Sequence, residues 1–183
     1  MDELTRTNFE DLRSPDAETR YQAFVSLLKA TEEQVDWAYE IWDELVARLS
    51  DPDNHQRAIA GQLLCNLAKS DPQGRILKDF PAVLRVTRDH RFVTARHCLQ
   101  AIWKIGVAGK SQQRLVVSGL ASRYREATSE KNSTLIRFDV IEAFRRLYAA
   151  TGEKKLRDKA MRLINEETDA KYRKKYASLW RDA

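Results

Sequence analysis

Glycine and proline are scarce in this 183-residue chain, with six and four copies. That scarcity excludes a fold built on many tight turns or long irregular loops. Cysteine is scarcer still. Cys65 and Cys98 are the only two, too few for a disulfide framework, and they read as free buried thiols in a reducing compartment. No apolar run approaches the roughly eighteen residues that a membrane-spanning helix needs. The opening residues, MDELTRTNFEDL, are acidic and have no apolar stretch, so they do not read as a secretory signal. Period-2 alternation is missing as well, which leaves strands without support. The expectation is a cytoplasmic protein with no membrane segment.

What remains is apolar and charged side chains in proportions that suit amphipathic helices. Hydrophobic residues make up 43% of the chain, enough for a continuous core, and charged residues 32%, enough to solvate the outer faces. The net charge of +5 hides a segregation. Residues 1–53 carry fourteen acidic and five basic side chains, whereas residues 54–183 carry thirteen and twenty-seven. An acidic end and a basic body follow if the fold keeps them apart, although solvated helix faces produce such runs too.

One row of residues recurs. Small or apolar residues stand at +3, +6, +7 or +10 from an arginine, offsets that mostly share one helix face. Arg20 is followed by Ala23, Leu27 and Ala30; Arg57 by Ala60, Leu63, Leu64 and Leu67; Arg96 by Leu99, Ile102, Trp103 and Gly106. Arg137 is followed by Val140, Ala143, Phe144 and Leu147, and Arg173 by Tyr176, Leu179 and Trp180. The arginines are separated by 37, 39, 41 and 36 residues, which suits a unit of two helices. Asp16, Asp53 and Asp169 stand four residues before their arginines, where a carboxylate caps free helix N–H groups. The first helix of each unit precedes its arginine helix. The best example is 32–50, with the stripe Val35, Ala38, Ile41, Trp42, Leu45 and Leu49 and a capping-box spacing at Thr31 and Gln34. Residues 3–12, 80–88, 111–127 and 153–165 are the counterparts, and 70–79 reads as a loop or a brief turn of helix. Gly106, Gly109 and Gly152 stand where helices should end.

These residues resemble the HEAT repeat family. The resemblance rests on D-P-D-x-x-x-R-x-x-A-x-x-L-L, clearest from Asp51 to Leu64, and it extends over nearly the whole chain. The third copy departs most, with Phe92 at the cap position and Leu99 where Ala is usual; the fifth lacks the proline and reads as a terminal cap. The resemblance implies an all-α fold, a right-handed α-solenoid of about five HEAT-like helical hairpins (the ARM/HEAT superhelix). It implies one repeat domain over 1–183, with units near 1–31, 32–70, 71–109, 110–151 and 152–183. First helices would then line the convex side and second helices the concave side. Arg20, Arg57, Arg96, Arg137 and Arg173 are expected to pack at unit junctions, reaching loop carbonyls or acidic groups, rather than to bind a ligand.

No nucleotide-binding, hydrolase or zinc-protease motif occurs. His90, His97 and Cys98 are close in sequence, but neighbours on a helix point about 100° apart, a poor ligand geometry. No cofactor or metal is expected. Some HEAT-like proteins excise alkylated DNA bases with concave aromatics and a carboxylate. Trp103, Tyr148 and Asp139 would fall on concave helices here without forming that motif. Trp37 and Trp42 are five apart, so one should be core and the other a partly exposed aromatic.

The candidate binding surface is Tyr21, Lys69, His97, Lys104, Phe138, Arg145, Arg146, Lys174, Lys175 and Arg181, mostly at offsets that escape the core. A non-catalytic scaffold or adaptor that binds a protein partner through the concave face is the favoured function. Nonspecific nucleic-acid binding through a basic concave surface is the alternative, and a base-excision enzyme the third reading. A monomer or weak self-association is expected.

Overall fold

The structure, a computed structural model, describes residues 1–181. Helix makes up 77% of the chain, and no strand occurs among the described residues. The fold is therefore all-α. The helices gather into two compact units, Met1–Cys98 and a second that begins at Leu99.

The first unit holds α1 (Glu3–Asp11), α2 (Ala17–Ala30), α3 (Ala38–Arg48), α4 (Asn54–Leu67), α5 (Arg75–Val86) and most of α6 (Phe92–Ala101). Consecutive helices pair, α1 on α2 and α3 on α4, and α4 also packs on α2 and α5. Leu12, Leu27, Trp42, Leu45, Leu63, Leu64 and Val83 lose essentially all solvent contact between them, each contributing about 2 kcal/mol of hydrophobic stabilisation. Polar groups in this core are satisfied across helices. Trp42 Nε1 donates to Asp79 at 2.8 Å, and the Asn66 amide donates to Thr31 Oγ1 and the Leu28 carbonyl at 3.0 and 3.2 Å. At Gly61 a Cβ would stand 3.2 Å from Cys98 Sγ, so the missing side chain lets α4 and α6 approach.

The second unit holds α7 (Trp103–Val107), α8 (Lys110–Glu126), α9 (Ser133–Thr151), α10 (Lys154–Asn165) and α11 (Ala170–Ala177). Helix α9 is the hub, packed against α7, α8, α10 and α11. Val116, Leu120, Tyr124, Val140, Phe144, Leu147, Leu163 and Tyr176 form its core. Tyr176 also donates its hydroxyl to the Thr134 carbonyl at 3.0 Å, tying α11 to α9.

Several local expectations change. The helix expected over 32–50 begins only at Ala38. Thr31 caps nothing ahead of it; its hydroxyl donates back to Leu27 and Leu28 carbonyls at the end of α2. Residues 70–79 are not merely a loop, because α5 starts at Arg75. Gly74 turns the chain with φ of 69°, and the Asp71 carboxylate accepts from Arg75 and Ile76 N–H at 2.9 and 2.7 Å. Of the three expected stop glycines, Gly152 ends α9 with φ of 69°, Gly109 instead precedes α8, and Gly106 lies buried inside α7. Trp37 and Trp42 are both buried, at 9% and 0% exposure, so neither is a surface anchor. The arginine helix of the third copy is interrupted at Ile102, between α6 and α7.

Candidate binding surfaces

Two of the recurrent arginines brace the turns that precede their helices. Arg20 folds its guanidinium back onto the carbonyls of Ser14 and Pro15, at 2.7 and 3.0 Å. Arg57 repeats this on Asp51 and Pro52, at 2.7 and 2.9 Å, and also holds Asp89 through two hydrogen bonds of 2.5 and 3.0 Å. Arg137 holds Glu167 at 2.7 Å and stacks 4.0 Å from the Tyr124 ring centroid. Arg96 lies 5.8 Å from the Phe92 ring. Arg173 is exposed.

The turn itself recurs in a way the arginine register did not reveal. Ser14 Oγ accepts from Asp16 N–H, Asp51 from Asp53, Asp89 from Arg91 and Glu167 from Asp169, at 3.2, 2.9, 2.8 and 3.0 Å. The three cap aspartates then accept from Thr19, His55 and Lys171 N–H. The overlooked signal was an oxygen-bearing residue six or seven positions before the arginine. Burial opposes ionisation of Asp89, but hydrogen bonds from Arg57 and from Arg91 N–H outweigh it and hold the carboxyl below its usual range.

In the first unit, two adjoining clefts run across α2, α4 and α6. One, of about 270 Å³, is lined by Arg20, Tyr21, Phe24, Ile59 and His97 among others. The second, of about 400 Å³, is lined by Asn54, Arg91, Phe92, Val93 and His97. Both share His55, Ala58 and His97. Tyr21 and Val93 stand out at 59% and 63% exposure. The structure thus brings two candidates, Tyr21 and His97, into one groove. Tyr21, Ala58 and His97 each follow a recurrent arginine directly. His55, Phe24, Phe92 and Val93 were overlooked, although His55 and Phe24 are one helical turn from that row. Protein atoms around the His97 imidazole desolvate it, and Arg96 repels its charged form, so its pKa falls below the ordinary value and the ring is neutral at pH 7.

Lys69 is exposed, but its ammonium donates to the Glu32 carbonyl. In the second unit the candidates are distributed more widely. Lys175 lies 5.2 Å from the Phe138 ring. Arg145 is half-buried between Tyr148 and Trp180, 5.9 Å from each centroid. Arg146 is exposed and paired with Glu142 at 2.8 Å. Lys104 is half-buried, and Lys174 and Arg181 are exposed. Asp139 is fully buried, and none of the clefts described here contains Trp103, Tyr148 or Asp139. Cys98 is buried with its thiol on the Val83 carbonyl, while His90 is 76% exposed beside Asp89.

A third cleft, of about 370 Å³, lies between α8 and α10. Arg114, Lys155, Lys159 and Glu153 line it, with Val117 and Leu156 as its apolar residues. Lys110 and Gln113 hold the Glu153 carboxylate by hydrogen bonds that lower its pKa. No sequence expectation pointed here.

These elements define an all-α protein of packed helical hairpins. No family model matches the chain, and neither does any curated protein. Among solved structures it is similar to the crystal structure of an engineered protein, a Northeast Structural Genomics Consortium target. That match has a TM-score of 0.57 and 17% identity, and it covers 98% of this chain and 78% of the other. A second engineered target of the same consortium has a TM-score of 0.51 and 14% identity, covering 98% and 88%. At such identities the likeness concerns the fold alone.

Proposed function

We propose that the chain is a non-catalytic adaptor of HEAT-like architecture, a right-handed α-solenoid of about five helical hairpins, that binds a segment of a protein partner. The architectural part is supported by Arg57–Asp89 and Arg137–Glu167, in which arginines two repeat periods apart each reach a carboxylate about thirty residues downstream, the first through a fork and the second through one nitrogen. The functional part rests on the groove across α2, α4 and α6, where Tyr21 and Val93 stay exposed above apolar walls. Such a groove between second helices suits an extended or helical segment that inserts apolar side chains. Arg20 and Arg91 are the arginines along it, and His97 is uncharged at pH 7.

Nucleic acid is the less favoured ligand. Free cations beside exposed rings would recognise it, yet where rings and cations meet Lys175 lies against Phe138 and Arg145 against Tyr148 and Trp180, and Arg146 pairs with Glu142.

The test is selection of peptides from a displayed random library, followed by titration of the enriched peptide. Tyr21→Ala with Val93→Ser should weaken binding about tenfold or more and leave the melting temperature unchanged, since both side chains face solvent. Equal affinity for wild type and variant would overturn this reading.

A further inference from the structure

The cleft between α8 and α10 carries a different chemistry from the groove, and nothing above assigns it a ligand. Arg114, Lys155 and Lys159 make no salt bridge among the described residues; Arg114 reaches only Ser111 Oγ, at 3.1 Å. The carboxylate on the rim, Glu153, is already neutralised by Lys110. Helix α10 continues the positive field with exposed Lys154, Arg157 and Arg162, against a single acid, Asp158. Beneath the cations lie Val117 and Leu156. No aromatic ring lines the cleft, so a single-stranded nucleic acid would find nothing on which to stack its bases.

We infer that this cleft binds an acidic–aliphatic peptide segment of a protein partner, its carboxylates on Arg114, Lys155 and Lys159 and an aliphatic side chain against Val117 and Leu156. Lys155 and Lys159 are one turn apart, about 6 Å along the axis. Carboxylates one turn apart on a helical segment match that spacing, with an aliphatic residue between them reaching the apolar lining. The unpaired cations steer and orient the segment, and the apolar contact distinguishes it from a bare polyanion. This surface lies on first helices of the second unit, apart from the Tyr21 groove, so it stands or falls independently of the proposed function.

The probe is a fluorescent helix-forming peptide of about sixteen residues, four to five turns, with Glu at i and i+4 and Leu between. Anisotropy with the full chain should show saturable binding that weakens about tenfold between about 50 and 300 mM salt. Lys155→Glu with Lys159→Glu should abolish it while Tyr21→Ala leaves it intact. Arg114→Glu alone should weaken it severalfold, and it serves in place of the double variant if that protein melts early. Replacing the peptide's Leu by Ser should also weaken binding severalfold. The proposal fails if the charge-reversed proteins bind as well as wild type, or if the Ser peptide binds equally. It fails too if random duplex DNA or inorganic phosphate displaces the peptide at matched charge. Sedimentation showing the cleft covered by a second copy, with the peptide excluded, would also overturn it.

Discussion

At the scale of single residues, the five recurrent arginines share a register but not an energetic role. Arg57 is nearly buried and makes four hydrogen bonds, two of them to a carboxylate. Arg57→Ala would strand Asp89 and two carbonyls, and should lose about 2 kcal/mol, which lowers the melting temperature by about 5 °C. Arg57→Lys should recover only part, because an ammonium cannot make the forked pair. Arg173→Ala, at an exposed site, should stay within about 0.5 kcal/mol of wild type. Thermal unfolding of the three proteins checks this, and equal losses at both positions would refute it. The pair also carries a pH signature. Asp89 has a folded pKa below its ordinary value, so its contribution is present above the unfolded carboxylate value, about 4, and is lost as pH falls through the lower folded value. Spacing made the arginines legible in the sequence. Their inequality was not legible, because it is set by carboxylates some thirty residues downstream, Asp89 and Glu167. At the same offset from Arg20 stands Asp51, but its carboxylate is held by Arg13 at 3.2 Å.

At the scale of elements, helices opened by an aspartate cap were readable, and those shaped by distant contacts were not. Asp16, Asp53 and Asp169 begin α2, α4 and α11 as their position ahead of each arginine predicts. Helix α3 starts late because the next hairpin ties down the backbone before it. Val35 N–H donates to Ser70 Oγ at 3.0 Å, and the Gln34 amide donates to the Lys69 carbonyl at 2.8 Å. Helix α5 starts early because the Asp71 carboxylate, held by Tyr39, reaches two of its first N–H groups. The partners of Gln34 and Val35 lie 35 residues away, beyond the reach of propensity and spacing; Asp71 itself is local to α5, and only the Tyr39 hydroxyl that orients it comes from a distance. Gly106 makes a third case. A Cβ there would stand 3.0 Å from both Leu147 δ-carbons, so its place in α7 reflects the approach of α9 rather than a helix end. Gly106→Ala should therefore destabilise by about 1 kcal/mol, overpacking outweighing the gain in helix propensity. Combining it with Leu147→Val should leave the double variant about 1 kcal/mol more stable than the sum of the two losses. Urea denaturation would detect strict additivity, which would contradict the close approach.

At the scale of the whole molecule, the all-α class was legible from scarce turn residues and helical periodicity. The division into two compact units was not, because it falls inside α6 between Cys98 and Leu99, both fully buried, with no linker composition to mark it. The candidate binding surfaces were legible in part. Tyr21, Ala58 and His97 share a groove because each follows its arginine, on α2, α4 and α6 in turn, and that row could be counted. The cleft between α8 and α10 carries no recurrent arginine, so nothing in the register points to it. The two thiols give the molecule an unplanned internal clock. Cys65 and Cys98 are at 1% and 0% exposure, and both belong to the unit ending at Cys98; no cysteine follows Leu99. A thiol reagent in excess can modify them only when those hairpins open, so the reaction rate reports opening of that unit alone. A peptide seated on α2, α4 and α6 should slow the modification in proportion to its occupancy. The acidic peptide should leave the rate unchanged, and a slowed clock would assign it to the wrong half of the chain.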